Sequence, residues 1–303
     1  MRVLIYGGVG FIGASVVEEF RDFEIYVAHR PGSTAKRPAV AEFVKKYANL
    51  IEYRDPSAPL AEVRPEVVVN LVGEYFGPPE ALREANAEFP KALCAAARAA
   101  GWRGKVVHIS AATVRGPVGS VIREEESHLV GVEPVTDFDK FKAEGEAAVA
   151  RCFEDWVVVR PVVVYGRFND HPEWVTLVKF VKRGVAPAVS ARVSVISVRE
   201  LAKAIRHSLG LSREFFFATE CTPRRLADFV DAAAEALGRR VVKVPVPSLL
   251  FKAAAPRDLR KHMAFIDRAF SCEKMKRLLG WEPRPDFRRE VAEMVKFISE
   301  RGL

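Results

Sequence analysis

Between Arg2 and Phe20 the chain reads RVLIYGGVGFIGASVVEEF, and no other stretch narrows its possible folds as much. Val3 to Tyr6 form an apolar run of the kind buried in a parallel strand. Gly7, Gly10 and Gly13 follow at three-residue spacing, and Phe11, Ile12, Val16, Val17 and Phe20 then recur at helical spacing. A strand, a glycine turn and a helix in that order suit a diphosphate. The first glycine reverses the chain, the second lets backbone approach the phosphates, and the third packs helix on strand. The helix start then offers free N–H groups and the positive end of its dipole. Gly7, Gly10, Phe11, Ile12 and Gly13 are therefore the candidate cofactor loop. No Gly-Lys-Ser/Thr follows, which disfavours an ATP-type phosphate loop.

The rest of the chain alternates strand-like and helix-like patterns, which predicts an α/β protein with a doubly wound parallel sheet. Strands are expected at 24–28, 50–53, 67–72, 105–110, 156–166 and 215–218, and helices at 40–48, 80–100, 138–146 and 225–237. Strand two ends in His29-Arg30, where an NAD-specific site would carry a carboxylate for the ribose 2′-hydroxyl. Arg30 instead suits a 2′-phosphate, with Lys36 and Arg37 adding positive charge, so NADP(H) is the preferred cofactor and NAD(H) the other possibility.

Composition excludes several classes. No apolar stretch reaches the length of a membrane span, and no signal-peptide pattern precedes the first strand, so a cytoplasmic protein is expected. Cys94, Cys152, Cys221 and Cys272 lie far apart without a C-x-x-C, so no metal site is indicated and they read as buried, reduced thiols. The absence of Gln and the abundance of Arg, Glu and Lys match thermophile usage, a setting in which intracellular disulfides also occur. Of the net charge of +8, residues 221–303 hold most, with 18 Lys+Arg against 11 Asp+Glu. That excess suits a thermophile's solvated surface or an anionic small-molecule substrate, while the lack of a basic-aromatic platform argues against nucleic acid.

The loop GGVGFIG resembles the opening of the extended short-chain dehydrogenase/reductases, the NAD-dependent epimerases and dehydratases. The resemblance runs nearly unbroken to Gly166. It takes in Asn70-Leu71-Val72-Gly73 after strand four, Ser110-Ala111-Ala112-Thr113-Val114-Arg115-Gly116 after strand five, FDKFKAEGE at 138–146 and the Arg160-Pro161 step. It loosens afterwards to SVISVRELAKA at 194–204 and MKRLLGWEP at 275–283. It implies a Rossmann-type dinucleotide-binding domain over 1–166, with strands from about 193–218 joining it, and a smaller substrate-binding part over 167–303. It also implies cofactor contacts from Asp55, Leu71, Val72, Gly73, Lys142 and Pro161, a tie from helix to sheet at Asn86, and substrate contacts from Asn169 and Arg192.

In that family a tyrosine moves the proton, a lysine four residues later tunes it and holds the ribose, and a Ser or Thr after strand five binds the reacting oxygen. Aligned on the motifs above, Lys142 is retained, but Phe138 stands at the tyrosine position and Ala111 at the serine position. Losing a positioned acid–base group removes about 10²–10⁴ in rate. Tyr75, near the end of strand four, is the leading substitute, ahead of Tyr165, Ser110, Thr113, Asp139, His171 and His108. Two functions follow. One is an NADP(H)-dependent epimerase/dehydratase-like oxidoreductase on a sugar nucleotide or related carbonyl or alcohol. The other is a catalytically silent NADP(H)-binding protein, a homodimer or accessory subunit similar to the NADPH-binding subunit of respiratory complex I, with which the chain shares an Arg after strand two and a run like KVPVPSLL at 243–250.

Overall fold

In the computed structural model, residues 1–254 and 260–302 are described. Seven parallel strands form the central sheet: β1 (Arg2–Tyr6), β2 (Glu24–His29), β3 (Asn49–Glu52), β4 (Val67–Asn70), β5 (Lys105–Ile109), β6 (Trp156–Pro161) and β7 (Glu214–Ala218). Their order is β7-β6-β5-β4-β1-β2-β3. Connections from β1 run one way, to β2 and β3, and those from β4 run the other. The crevice between β1 and β4 is thus the topological switch point where α/β sheets bind ligands. Both faces of the sheet are covered by apolar clusters, one containing Ile5, Val69, Val107 and Val159, the other Leu4, Val68, Val106 and Val158. Burial on both sides is why these strands read as continuous runs of Val and Ile instead of alternating. A third cluster around Trp174, Phe229 and Met294 is the core of the later segments.

Two predicted elements are interrupted, each for a physical reason. The expected strand 156–166 stays in the sheet only to Pro161. Its pairing with β5 ends at Val159 opposite Ile109, and Pro161 has no N–H to extend a ladder. Val163–Tyr165 then leaves to pair in parallel with Val195–Ser197. The expected helix 80–100 is three pieces: Pro79–Arg83, a π-turn at Glu84–Glu88, and α1 (Phe89–Ala99). Pro90 cannot donate to the carbonyl of Asn86 four residues earlier, and the ladder widens there. The neighbouring helix α2 (Asp137–Cys152) uses the gap: a Cβ on its Gly145 would stand 2.3 Å from the Asn86 carbonyl oxygen.

The reading of the cysteines as reduced thiols is overturned. Cys94 on α1 is bonded to Cys152 at the end of α2, and Cys221, just after β7, to Cys272. Sequence spacing hides such pairs, because the fold brings together residues separated by 58 and 51 positions. No described helix is long and apolar enough to cross a membrane.

Each disulfide closes a loop long enough to remove about 4 kcal/mol of chain entropy from the unfolded state in the simple closure model. Thermal unfolding with and without dithiothreitol should show a drop in Tm of roughly 10 °C on reduction. Equal melting of samples shown by thiol alkylation to be oxidised and reduced would contradict this.

Candidate functional site

The first helix after β1 runs from Phe11 to Glu19 and has Gly10 as its N-cap, with no side chain capping it. Gly7 has φ +81°, and a Cβ there would lie 3.0 Å from the backbone of Leu71 and Val72, where the chain leaves β4. A Cβ on Gly13 would meet the Gly8 Cα at 2.5 Å. Gly8, absent from the three-residue spacing, is also required, since a Cβ there would stand 2.7 Å from the Val27 side chain. Space for backbone alone, beside uncapped helix amides, is what a dinucleotide's diphosphate fits.

Around this cradle the other expected cofactor residues are spread along the carboxyl ends of the strands. Arg30 is exposed just beyond β2, and its charge acts on Tyr53. Lys36 is exposed too, whereas Arg37 is engaged with Asp170 at 2.7 Å. Asp55 is exposed and accepts hydrogen bonds from the hydroxyl and backbone N–H of Ser57, which hold its carboxyl below the usual range. The Leu71 N–H donates to the Tyr6 carbonyl, and the Val72 N–H to Asn70 Oδ1. Pro161 is buried where β6 ends against Ala218 of β7. Asn86 clamps the segment after β4: its Nδ2 donates to the Glu74 carbonyl at 2.7 Å, and its Oδ1 accepts from the Glu74 N–H at 3.2 Å.

Helix α2 carries the expected catalytic positions. A Thr136–Asp139 capping box fixes its start. Lys142, one turn in, is buried, and its Nζ donates to the Ile109 carbonyl at the end of β5 at 3.0 Å. It lies so close to Gly73 that a Cβ there would be 2.6 Å from Nζ. Burial pushes its ammonium down to about 8, and Glu146 only partly offsets this. The Phe138 ring lies 6.0 Å from Lys142 Nζ and offers no proton. Ala111 is buried in extended backbone just past β5. Ser110, beyond the last β5 residue, is buried with its Oγ lacking a partner, and Thr113 gives its hydroxyl to Asp139. His108 is buried beside Asn70 and driven down to about 3 by desolvation, so it is neutral at ordinary pH.

Tyr75 packs edge-on against Phe138, ring centroids 4.9 Å apart, and its Oη is 3.2 Å from His262 Nδ1. Burial, with the nearby charges of Glu173 and Asp139, holds its phenol above the ordinary value. Ring contacts lead from Phe11 in the glycine loop to His171 at 5.2 Å, on to Phe76 at 6.1 Å, and then to Tyr75 at 4.5 Å. One continuous wall thus joins the phosphate cradle to the tyrosine. Tyr165 is committed elsewhere, donating to buried Glu220. Asn169 is buried with its amide spent on the Val164 carbonyl and the His171 N–H. Arg192 is exposed, its backbone paired with Asp267, five residues beyond His262. Sequence reasoning gave His262 no part, because a lone histidine in a basic stretch has no motif spacing and only the fold brings it to Tyr75.

A glycine cradle at the switch point of a doubly wound sheet, with a buried lysine at the end of the neighbouring strand, defines a Rossmann-type protein of the short-chain dehydrogenase/reductase kind. More narrowly, the chain belongs to the NAD dependent epimerase/dehydratase family, whose description matches residues 3–222. Among solved structures it is similar to the UDP-glucose 4-epimerase of Thermus thermophilus in complex with NAD, with TM-score 0.77, 23% identity and 99% of each chain covered. It is similar to WbmH of Bordetella bronchiseptica in complex with NAD+, with TM-score 0.77 and 17% identity over 100% of this chain and 99% of that one. It is also similar to MoeE5 in complex with UDP-glucuronic acid and NAD, with TM-score 0.73 and 17% identity over 100% of both chains. No curated protein matches the chain.

The depressed Lys142 gives a stability signature. Between about pH 8 and the unfolded lysine's value near 10.4, the unfolded chain holds a proton that the folded chain has released, so this group's contribution to stability rises with pH. Relative to Lys142→Met, wild type should gain roughly 1–3 kcal/mol of unfolding free energy from pH 7.5 to 10 in denaturant titrations. Parallel pH curves for the two proteins would refute the assignment.

Proposed function

We propose that this chain is an NADP(H)-binding epimerase/dehydratase-like oxidoreductase acting on a sugar nucleotide or a related carbonyl or alcohol, with Tyr75 moving the proton in place of the tyrosine replaced by Phe138. The observation that carries the reading is the Tyr75 hydroxyl, set against the Phe138 ring and linked by aromatic contacts to the glycine loop. Neighbours bound to NAD support a nicotinamide nucleotide, and the UDP-glucuronic acid of MoeE5 supports an anionic nucleotide-sugar substrate. Exposed Arg30, with no carboxylate beside it at the end of β2, supports NADP(H) over NAD(H).

In this reading residues 1–166, completed by β7, hold the nucleotide, while the smaller part over 167–303 receives the substrate, with Asn169 and Arg192 on its side. Gly7, Gly10, Phe11, Ile12 and Gly13 take the diphosphate, and Arg30 takes the 2′-phosphate. Asp55 faces the adenine, and Leu71, Val72, Gly73 and Pro161 line the remainder. Lys142 Nζ donates to the ribose hydroxyls, and its charge favours an anionic oxygen nearby. A bound nicotinamide supplies hydride chemistry. Ala111 and Phe138 favour a second reading, a silent NADP(H)-binding accessory protein.

Turnover of UDP-glucose, UDP-galactose or dTDP-glucose by the purified chain with NADP+ separates the two readings. Activity in wild type that falls about 10²–10⁴-fold in Tyr75→Phe supports the first. Activity appearing only in Ala111→Ser/Phe138→Tyr supports the second. For the cofactor, Arg30→Ala should weaken NADPH about 10–100-fold, the worth of a charge-assisted contact, and NADH less than about twofold in calorimetric titrations. Equal losses for both nucleotides would remove the NADP(H) assignment.

A further inference from the structure

We propose that His262 and Asp139 complete a proton relay behind Tyr75. In it the tyrosine exchanges a proton with substrate at its hydroxyl while His262 takes up or returns the tyrosine's own proton, and Asp139 holds the imidazole in place. This deepens the reading of Tyr75 as the proton-transfer group and rests on it.

The relay is assembled from segments far apart in sequence. Tyr75 comes from the segment after β4, Asp139 from the first turn of α2, and His262 from the short helical turn His262–Phe265. Tyr75 Oη stands 3.2 Å from His262 Nδ1, and His262 Nε2 stands 3.5 Å from Asp139 Oδ1 and 3.4 Å from Thr136 Oγ1. The two ring nitrogens therefore face different groups on opposite sides. A proton on Nε2, which faces Thr136 Oγ1 as well as the Asp139 carboxylate, leaves Nδ1 bare to accept from the tyrosine hydroxyl, and a carboxylate behind an imidazole selects that tautomer.

Helix capping does not account for the whole of Asp139. Its Oδ2 takes the N–H and hydroxyl of Thr136, which is the capping box. Its Oδ1 is left to Thr113 and His262. The carboxyl group is fully buried, and although burial alone raises it, the hydrogen bonds it accepts from His262, Thr113 and Thr136 keep it below its ordinary value. A buried anion 3.5 Å from the imidazole is what stabilises a transient imidazolium. The rings of Tyr75, Phe138 and Phe265 pack around His262 without supplying a competing charge. Besides these groups, the titratable neighbour acting on Tyr75 is Glu173.

The step balances. In the oxidising direction the substrate's O–H bond breaks as Tyr75 Oη takes its proton, and the Tyr75 O–H bond breaks as His262 Nδ1 takes that one. A bound oxidised nicotinamide nucleotide would supply the acceptor for the substrate's C–H electron pair as hydride, leaving the substrate carbon as a carbonyl. Reduction runs the same transfers backwards. This arrangement lets a phenol that burial keeps protonated act without ever standing as a free phenolate.

Two measurements on the full chain test the relay. The first is histidine ¹⁵N NMR without nucleotide. The relay expects a neutral Nε2–H tautomer for His262 that loses its preference in Asp139→Asn, and an Nδ1 resonance that shifts in Tyr75→Phe. An Nδ1–H tautomer in wild type, or no response to either substitution, overturns it. The second is turnover of UDP-glucose or UDP-galactose with NADP+. His262→Gln should lose about 10²–10⁴ in kcat with KM changed less than about threefold. His262→Ala should recover roughly tenfold or more with added imidazole. His262→Asn serves instead if the Gln variant melts more than about 10 °C below wild type. An active wild type whose His262 variants keep their kcat overturns the relay alone. A wild type that turns over none of UDP-glucose, UDP-galactose and dTDP-glucose, while binding NADPH, overturns the proposed function and the relay with it.

Discussion

Where α2 lies against the sheet is decided by a contact that only two small features allow. Gly145 has no side chain, and Pro90 leaves the Asn86 carbonyl without its helical partner, so the two backbones meet at a distance no Cβ would tolerate. From that contact the rest of the helix follows. Lys142, one turn before Gly145, reaches the end of β5 and the chain past β4, and Phe138 and Asp139 come to the edge of the switch-point crevice. Glu146, next to Gly145, meets Arg160, which binds Glu125 as well in a fully buried ion cluster. The same π-turn turns the Asn86 amide onto the backbone of Glu74, next to Tyr75. One local irregularity in a helix thus registers Lys142 and the end of β5 against the segment that carries Tyr75.

Much of this architecture was legible in the chain. The apolar runs of β1, β4, β5 and β6 are buried on both faces and therefore read as unbroken hydrophobic stretches, and the glycine loop announced itself because positive φ and close backbone approach leave few alternatives to glycine. What failed to show depended on distance. Cys94 and Cys152 carry no mark of their pairing, and the pairing of Val163–Tyr165 away from the sheet depends on where β5 happens to end. Pro90 was a visible clue to the break in the long helix, but its consequence, a carbonyl freed for a glycine on another helix, needed the packing. His262 is the extreme case, since its neighbours Lys261 and Met263 say nothing about a tyrosine 187 positions earlier.

Ala111 and Phe138, which the resemblance aligns with a serine and a tyrosine, take a different aspect in three dimensions. The Phe138 ring is a wall against which Tyr75 packs, and Lys142 Nζ lies 6.0 Å from its centroid. Ala111 leaves the end of β5 without a hydrogen-bonding side chain, while Ser110 beside it keeps a buried hydroxyl with no partner.

Tyr75 and His262 belong to opposite halves of the chain, and their contact joins the two halves. An excised amino-terminal fragment would keep the glycine cradle yet lack the imidazole. Swapping the carboxyl-terminal half between relatives would replace the group behind the tyrosine while leaving the nucleotide loop untouched. In a lineage that recombines such halves, a change in what faces the tyrosine would leave no trace in the glycine signature by which these chains are recognised.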